Sequence, residues 1–218
     1  RATAYAGQRD IEQFLAIPVF VQGNPLQSGG VVDLGSDFHG GELRLAGDST
    51  LAARPLQWTA GVGWEGLAQQ RRGFENFVGT QLGVRGRLRR DERNDVATFD
   101  QFAQADWRFA DDWSLLAGLR HSQVRFRSDD RYVTAGNPDD SGAVDFERWT
   151  PVMALQWRAS PTLNLHASLG SGFETPTLVE LAYRPDGGSG LNLDLRPARS
   201  RNLELGMKWR PRPGVSAD

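Results

Sequence analysis

The feature that most limits how this chain can fold is a two-residue alternation of apolar and polar side chains, kept up over unusually long segments. From Leu163, the positions Leu163, Leu165, Ala167 and Leu169 alternate with Asn164, His166, Ser168 and Gly170. Trp149, Pro151, Met153, Leu155 and Trp157 oppose Arg148, Thr150, Val152, Ala154, Gln156 and Arg158. The same pattern sets Leu56, Trp58, Ala60, Val62 and Trp64 against Gln57, Thr59, Gly61, Gly63 and Glu65. It sets Leu203, Leu205, Met207 and Trp209 against Asn202, Glu204, Gly206 and Lys208, and Trp113, Leu115, Ala117 and Leu119 against Ser114, Gly118, Arg120 and Ser122. Phe99, Ala103, Ala105, Trp107 and Phe109 oppose Thr98, Asp100, Gln104, Asp106 and Arg108, with Gln101 and Phe102 read as a break in phase. Weaker strands are expected near residues 2–9 and 37–46. Successive side chains of a strand point to opposite faces, so this period describes sheets with one apolar and one polar face. No segment carries a helical period, and the chain is read as all-β, with about eight strands.

The connections alternate in length. Ala110-Asp111-Asp112 and Ala159-Ser160-Pro161-Thr162 are short turns, whereas residues 66–96, 128–147 and 174–201 read as long, polar, Gly-rich loops. Long structureless loops are uncommon in compact soluble domains, but short periplasmic turns alternating with long extracellular loops mark an outer-membrane β-barrel. The tryptophans agree. Trp58, Trp107, Trp113, Trp157 and Trp209 lie beside short turns, while Trp64 and Trp149 lie at the other strand ends. Indole favours the membrane–water interface, so two girdles are expected. Trp149 to Trp157 spans roughly 19 Å of height at the usual strand rise and tilt, within an apolar band of ~25 Å. A soluble β-sandwich also alternates, but it explains neither the loop asymmetry nor the banding of tryptophan.

Composition removes other classes. With no cysteine, disulfide frameworks, thiolate metal sites and cysteine nucleophiles are excluded together. A formal charge of −2 offers no electrostatic footprint for nucleic acid. The longest uncharged run, residues 14–32, is broken by Pro18, Asn24 and Pro25 and cannot form a spanning helix.

Few motifs carry chemistry. Gly61-Val62-Gly63-Trp64-Glu65-Gly66 matches a dinucleotide fingerprint as a string, but it lies inside a strand with no following helix. Gly170-Ser171-Gly172 lacks the strand–turn–helix setting of a nucleophile elbow. His39, His121 and His166 are scattered, so no catalytic residue and no metal set is assigned. Between residues 66 and 95 stand Arg71, Arg72, Arg85, Arg87, Arg89, Arg90 and Arg93. This run reads either as a solvated loop or as a positive patch for an anionic ligand or lipopolysaccharide phosphate. Asp129, Asp130, Asp139, Asp140 and Asp145 make the next loop acidic, without calcium-loop spacing.

The run Gly172-Phe173-Glu174-Thr175-Pro176-Thr177-Leu178, followed by Glu180-Leu181, resembles the strand-to-loop motif of TonB-dependent outer-membrane receptors. So does Asn192-Leu193-Asp194-Leu195-Arg196-Pro197, followed by Ser200, Asn202 and Glu204-Leu205-Gly206. Glu174 stands where the motif usually has Arg, and Ala198 where it has an acidic residue; both departures weaken any transfer of substrate identity. The resemblance implies a transmembrane antiparallel barrel of 22 strands, of which residues 1–218 would be a middle piece. A signal peptide, TonB box, plug domain and last strands are expected outside it. It further implies location in the outer membrane of a Gram-negative bacterium, and contact with lipid, lipopolysaccharide, the protein's own plug and TonB. Active import of a ferric chelate, most often a siderophore, is implied without a covalently bound cofactor. Haem, cobalamin, copper chelates and sugars also travel through this family, though two Met and no Cys argue against a soft copper site. Thr59, Glu65, Asp106, Arg120, Gln156, Arg158, His166, Asn202 and Glu204 are expected to line the lumen. Arg71, Arg72, Tyr132, Tyr183 and Arg184 are the candidate ligand contacts. A passive porin, a structural barrel and a soluble binding sandwich remain the alternatives.

Overall fold

A computed structural model describes residues 1–185, 188–212 and 215–217. The chain runs as β1 (Ala2–Phe14), β2 (Val31–Leu51), β3 (Arg54–Phe74), β4 (Phe77–Val78), β5 (Gln81–Leu82), β6 (Leu88–Trp107), β7 (Trp113–Asp130), β8 (Gly142–Ser160), β9 (Leu163–Glu174), helix α1 (Leu178–Leu181), β10 (Ala198–Arg212) and β11 (Val215–Ala217). Nine strands form one antiparallel sheet in the order β1-β2-β3-β6-β7-β8-β9-β10-β11, with β4 and β5 a separate small hairpin. All eight strands expected from alternation are present. The sheet does not close on itself.

Register fixes the two faces. Leu43↔Val62, Ala105↔Ala117, Met153↔Leu169 and Leu169↔Leu203 share one face, and Glu65↔Thr98, Asp100↔Ser122, Arg120↔Thr150 and Glu204↔Ser168 share the other. Among the described residues no second sheet covers the apolar face. Leu45, Met153, Leu203 and Leu205 stay exposed, Leu205 at 75%. Large apolar side chains left bare along a whole sheet are what hydrocarbon solvation requires, and a sandwich would have buried them. At the short-turn end Trp113 stacks on Trp157 with ring centroids 5.3 Å apart, and Phe109 bridges Trp107 and Trp113 at 5.7 and 6.4 Å. At the other end the ring of His121, on the apolar face, stacks on Trp149 at 4.2 Å and meets Glu147 through Nε2 at 2.7 Å.

Two expectations need correction. Gln101 and Phe102 do not break phase: β6 pairs without interruption through Val62↔Gln101 and Gly61↔Phe102, so Gln101 joins the apolar face and Phe102 the polar one. The long loops are also shorter than expected. β3 continues to Phe74, β7 ends at Asp130 and β8 already begins at Gly142, and pairs such as Arg72↔Asp91, Arg71↔Glu92 and Asp95↔Arg127 fall inside the expected loops. Above the membrane both faces of a strand meet water, so hydropathic alternation disappears while backbone pairing persists. Cross-strand opposite charges then support the ladder.

Glycines open notches for aromatic rings across the sheet. Each of Gly7, Gly41, Gly47, Gly61 and Gly206 lies opposite an aromatic side chain: Phe38, Trp64, Trp58, Phe102 and His166 respectively. The fingerprint-like string is thus partly explained, since Gly61 receives the Phe102 ring. The β2–β3 turn is unusual in placing Ala52 and Ala53 at φ of 52° and 60°, a left-handed geometry normally given to Asn and Gly.

Candidate functional site

The polar face curves around a cavity of about 820 Å³, to which β1, β2, β3, β6, β7, β8 and β9 all contribute. Its wall is built from paired charges. Arg120 donates to Asp100 through Nε at 3.0 Å and Nη2 at 2.6 Å, and Ser122 Oγ donates to the same carboxylate at 2.5 Å. The hydroxyl of Tyr5 donates to Glu65 Oε1 at 2.7 Å. Phe102, Thr98, Glu42 and Arg44 complete this surface. Such a wall is wet, charge-balanced and built to meet polar groups.

Register puts all nine expected lumen residues on this one face. Glu65 and Arg120 border the cavity. Thr59 and Asp106 lie lower on β3 and β6, opposite Gln104 and Gln57. Gln156, Arg158, His166, Asn202 and Glu204 continue the face along β8 to β10, with His166 Nε2 3.4 Å from Glu204 Oε1. Two further residues of this face escape sequence reasoning: Tyr5, whose strand alternates weakly, and Phe102, which reads as a break in phase.

Above the cavity the same face turns apolar, through Val96, Val124, Phe126, Val144 and Phe146. Residues 175–185 and 188–197 fold back onto this patch. Leu181 is 0% exposed and packs with Leu191, Phe126 and Phe146, supported by Phe173, Leu178, Leu193 and Leu195. The motif residues therefore act mainly as apolar anchors. A capping box holds α1: Thr177 Oγ1 accepts from Glu180 N at 3.2 Å, and Glu180 Oε2 accepts from Thr177 N at 2.8 Å. The Asn192 N–H donates to Leu181 O, closing the segment on itself. Ser171, Gly172, Phe173 and Thr175 border the cavity, so the segment forms a shelf at its upper edge.

The five candidate ligand contacts do not form one group. Arg71 lies on the cavity face and Arg72 on the other, where it donates to Asp33 Oδ2 at 3.0 Å. Both belong to β3 rather than to a loop. Tyr132 lies in the β7–β8 connection, where its carbonyl accepts from Asn137 Nδ2 at 2.6 Å. Arg184 Nη1 donates to Ser189 O at 3.2 Å and lies 3.5 Å from Asp140 Oδ1. Tyr183 is exposed, one residue past the α1 C-cap.

The arginine run is not an open positive patch. Glu75, buried, accepts from Arg87 Nε and Nη2 at 3.0 and 2.8 Å and from Arg89 at 3.4 Å. Arg85 reaches Glu12 and Asp33, Arg90 reaches Glu92, and Arg93 reaches Asp95. A buried knot fastens the neighbouring loops: Gln22 Nε2 donates to Asn76 Oδ1 at 2.7 Å and to Ile17 O at 2.9 Å. The aspartates of the next loop are likewise occupied, Asp130 by the Tyr132 and Asp140 amides and Asp139 by Ser141. Among the described residues no group of three or more His, Cys, Asp or Glu could hold a metal ion.

A single sheet with a bare apolar face, aromatic ends and a polar concave face is the wall of a transmembrane β-barrel. Residues 3–218 match the family described as TonB dependent receptor-like, beta-barrel, and the chain belongs to that family. Its members are outer-membrane transport receptors, not enzymes. Among solved structures, the chain resembles the ferric citrate transporter FecA in its unliganded form (13% identity, TM-score 0.71, 95% of this chain). It also resembles the siderophore receptor PiuA from Acinetobacter baumannii (12%, 0.65, 83%) and the copper transporter OprC (17%, 0.69, 97%). It spans 29%, 30% and 34% of those three chains.

Proposed function

We propose that this chain forms part of the barrel of an outer-membrane receptor that captures a scarce chelate and imports it with energy delivered through TonB. The cargo class best supported is a ferric siderophore or related iron chelate. The observation that carries this reading is the family match combined with the polar, charge-paired cavity face under an inward-folded shelf. Ferric citrate, siderophore and ferric-catecholate receptors recur among the structural neighbours. In this reading the polar face, with Thr59, Glu65, Asp106, Arg120, Gln156, Arg158, His166, Asn202 and Glu204, lines the lumen and meets water and a plug. The bare apolar face meets lipid, with lipopolysaccharide above it. The cargo is a substrate, and no resident cofactor is invoked.

The test is uptake of iron-labelled siderophores by cells with and without the gene, each with and without an uncoupler. Gene-dependent uptake abolished by the uncoupler is expected. Uptake that survives the uncoupler identifies a passive pore and overturns the proposal.

A further inference from the structure

The wall parts between β8 and β9. Their ladder ends at Val152↔Gly170, although β8 reaches up to Gly142 and β9 to Glu174. Pro151 stops it. The Arg158 amide donates to Asp112 O at the foot of β7, so even-numbered residues of β8 bond toward β7 and odd-numbered ones toward β9. Pro151 is odd-numbered and has no N–H to give, which removes the next rung. Above it the backbone groups of Ala143, Asp145, Glu147 and Trp149 face the same edge and have no partner there among the described residues. From Ser171 upward the β9–β10 ribbon turns inward instead. Ser171 and Phe173 continue the alternation of Leu169 on the lipid face, yet both border the cavity, and Ser171 Oγ is buried without a partner.

Continued upward, the β8–β9 register sets Phe173 opposite Trp149, Glu174 opposite Arg148 and Thr175 opposite Glu147. We propose that β9 has two docked positions: the inward one of this structure, and one in which residues 171–175 zip onto the free edge of β8 and draw the shelf away from the cavity mouth. The inward position is fastened by the apolar packing of Leu181 and Leu191. The zipped position gains backbone rungs, a cross-strand Phe173–Trp149 pair at the aromatic girdle and a Glu174–Arg148 charge pair on the lumen face. Neither the Glu174 nor the Arg148 side chain has a partner in the inward position among the described residues. Glu174, the residue that departs from the family-like motif, thereby acquires a role, since an arginine there would repel Arg148. Pro176 sets the upper limit without blocking the zip: its missing N–H belongs to the β10 side, and the residue before a proline favours extended backbone. The rung lost at Pro151 separates the two positions, because zipping must start beyond a gap in the ladder. The device goes beyond the import reading and holds whatever passes through the barrel.

The test is disulfide trapping in the full-length receptor, in outer membranes treated with a mild oxidant. Thr175 borders the cavity and Glu147 lies on the outer face, so Glu147→Cys with Thr175→Cys can join only when β9 zips, and this chain has no cysteine to compete. Heat-modifiable gel migration confirms that each variant has an assembled barrel. The cross-link is expected to form at a rate that follows the zipped population. Glu174→Arg in the same background should slow it by about fivefold, the scale of turning a cross-strand attraction into a repulsion, and Arg148→Glu added to Glu174→Arg should restore it. An absent cross-link overturns the proposal, as does a rate that ignores Glu174→Arg or that the exchanged pair fails to restore.

Discussion

Leu181→Ala should release the shelf while leaving the barrel wall assembled. Leu181 is fully buried between Leu191 and the wall residues Phe126 and Phe146, so truncation removes both its transfer energy and its packing partners. Large-to-small changes at such sites cost ~2–5 kcal/mol. The wall is held by continuous backbone ladders, whereas the shelf rests on a few apolar anchors and a one-turn helix. Fixing backbone costs about 1–2 kcal/mol per residue, which leaves the shelf a small closing margin. A loss of about 3 kcal/mol then raises its open fraction roughly a hundredfold. The Tyr183–Arg184 bond, just past the α1 C-cap, gives chymotrypsin a reporter site within the released segment, because cleavage needs the backbone around it to leave the shelf. With opening in rapid equilibrium, cleavage there should accelerate by a comparable factor. Heat-modifiable migration should be unchanged. Equal cleavage of wild type and variant would refute the view that the segment is anchored by Leu181, and loss of the heat-modifiable form would show that shelf and wall are one cooperative unit.

Depth along the apolar face sets a second test: Leu169→Arg, opposite Met153 midway between the Trp149 and Trp157 levels, should destabilise by ~2–4 kcal/mol in denaturant unfolding from vesicles. Leu165→Arg, in register with Trp157 at the girdle, should cost distinctly less, and equal costs would contradict the membrane placement. The two glycines of the fingerprint-like string should separate. A Cβ on Gly61 would lie 2.6 Å from both Leu43 O and Phe102 Cζ, so Gly61→Ala should cost ~1–3 kcal/mol, while Gly63, with nothing nearer than 3.9 Å, should accept Ala within about 0.5 kcal/mol. Comparison of urea midpoints decides this, and parity would remove the packing explanation. Arg87, by hydrogen bonding and then by charge, holds the Glu75 carboxyl below its ordinary value of 4.5. A depressed carboxylate stabilises the fold above its unfolded pKa and loses that contribution as pH falls through its folded value. Amide exchange in residues 75–87 should therefore rise only in acid below about pH 4.5, whereas Glu75→Gln should exchange rapidly already at pH 7 and show no further acid step. An unchanged acid step in that variant would move the titrating group elsewhere.

The strands and their two faces could be read from sequence because the membrane imposes hydropathic alternation on each of them locally. Leu163 to Leu169 needs no knowledge of its neighbours to be placed. Where the wall leaves the membrane that local constraint ends, and residues 66–73 read as loop although their ladder to β6 is continuous. The Gln101–Phe102 step misled for a related reason: Phe102 faces inward because Gly61, forty-one positions earlier, makes space for its ring. The shelf was visible only as a family-like motif. Leu178 and Leu181 carry no strand period, and the apolar patch that receives them comes from β6, β7 and β8.

The arginine run shows the same limit most clearly. In sequence its members look equivalent, and a dense run of them suggests an anion trap. Their fates are decided by acids from distant segments, such as Glu12 and Asp33, which meet Arg85 only after the strands have paired. One distinction was nevertheless accessible without those partners. Adjacent residues in a strand cannot serve one ligand from one face, so Arg71-Arg72 had to divide between cavity and exterior once the ladder was known to continue. Asp33 then neutralises Arg72 on the outer face, while Arg71 faces Glu92 across the ladder on the inner one. The role of an arginine in such a wall is set less by its place in the run than by the acid that strand pairing brings to the same face.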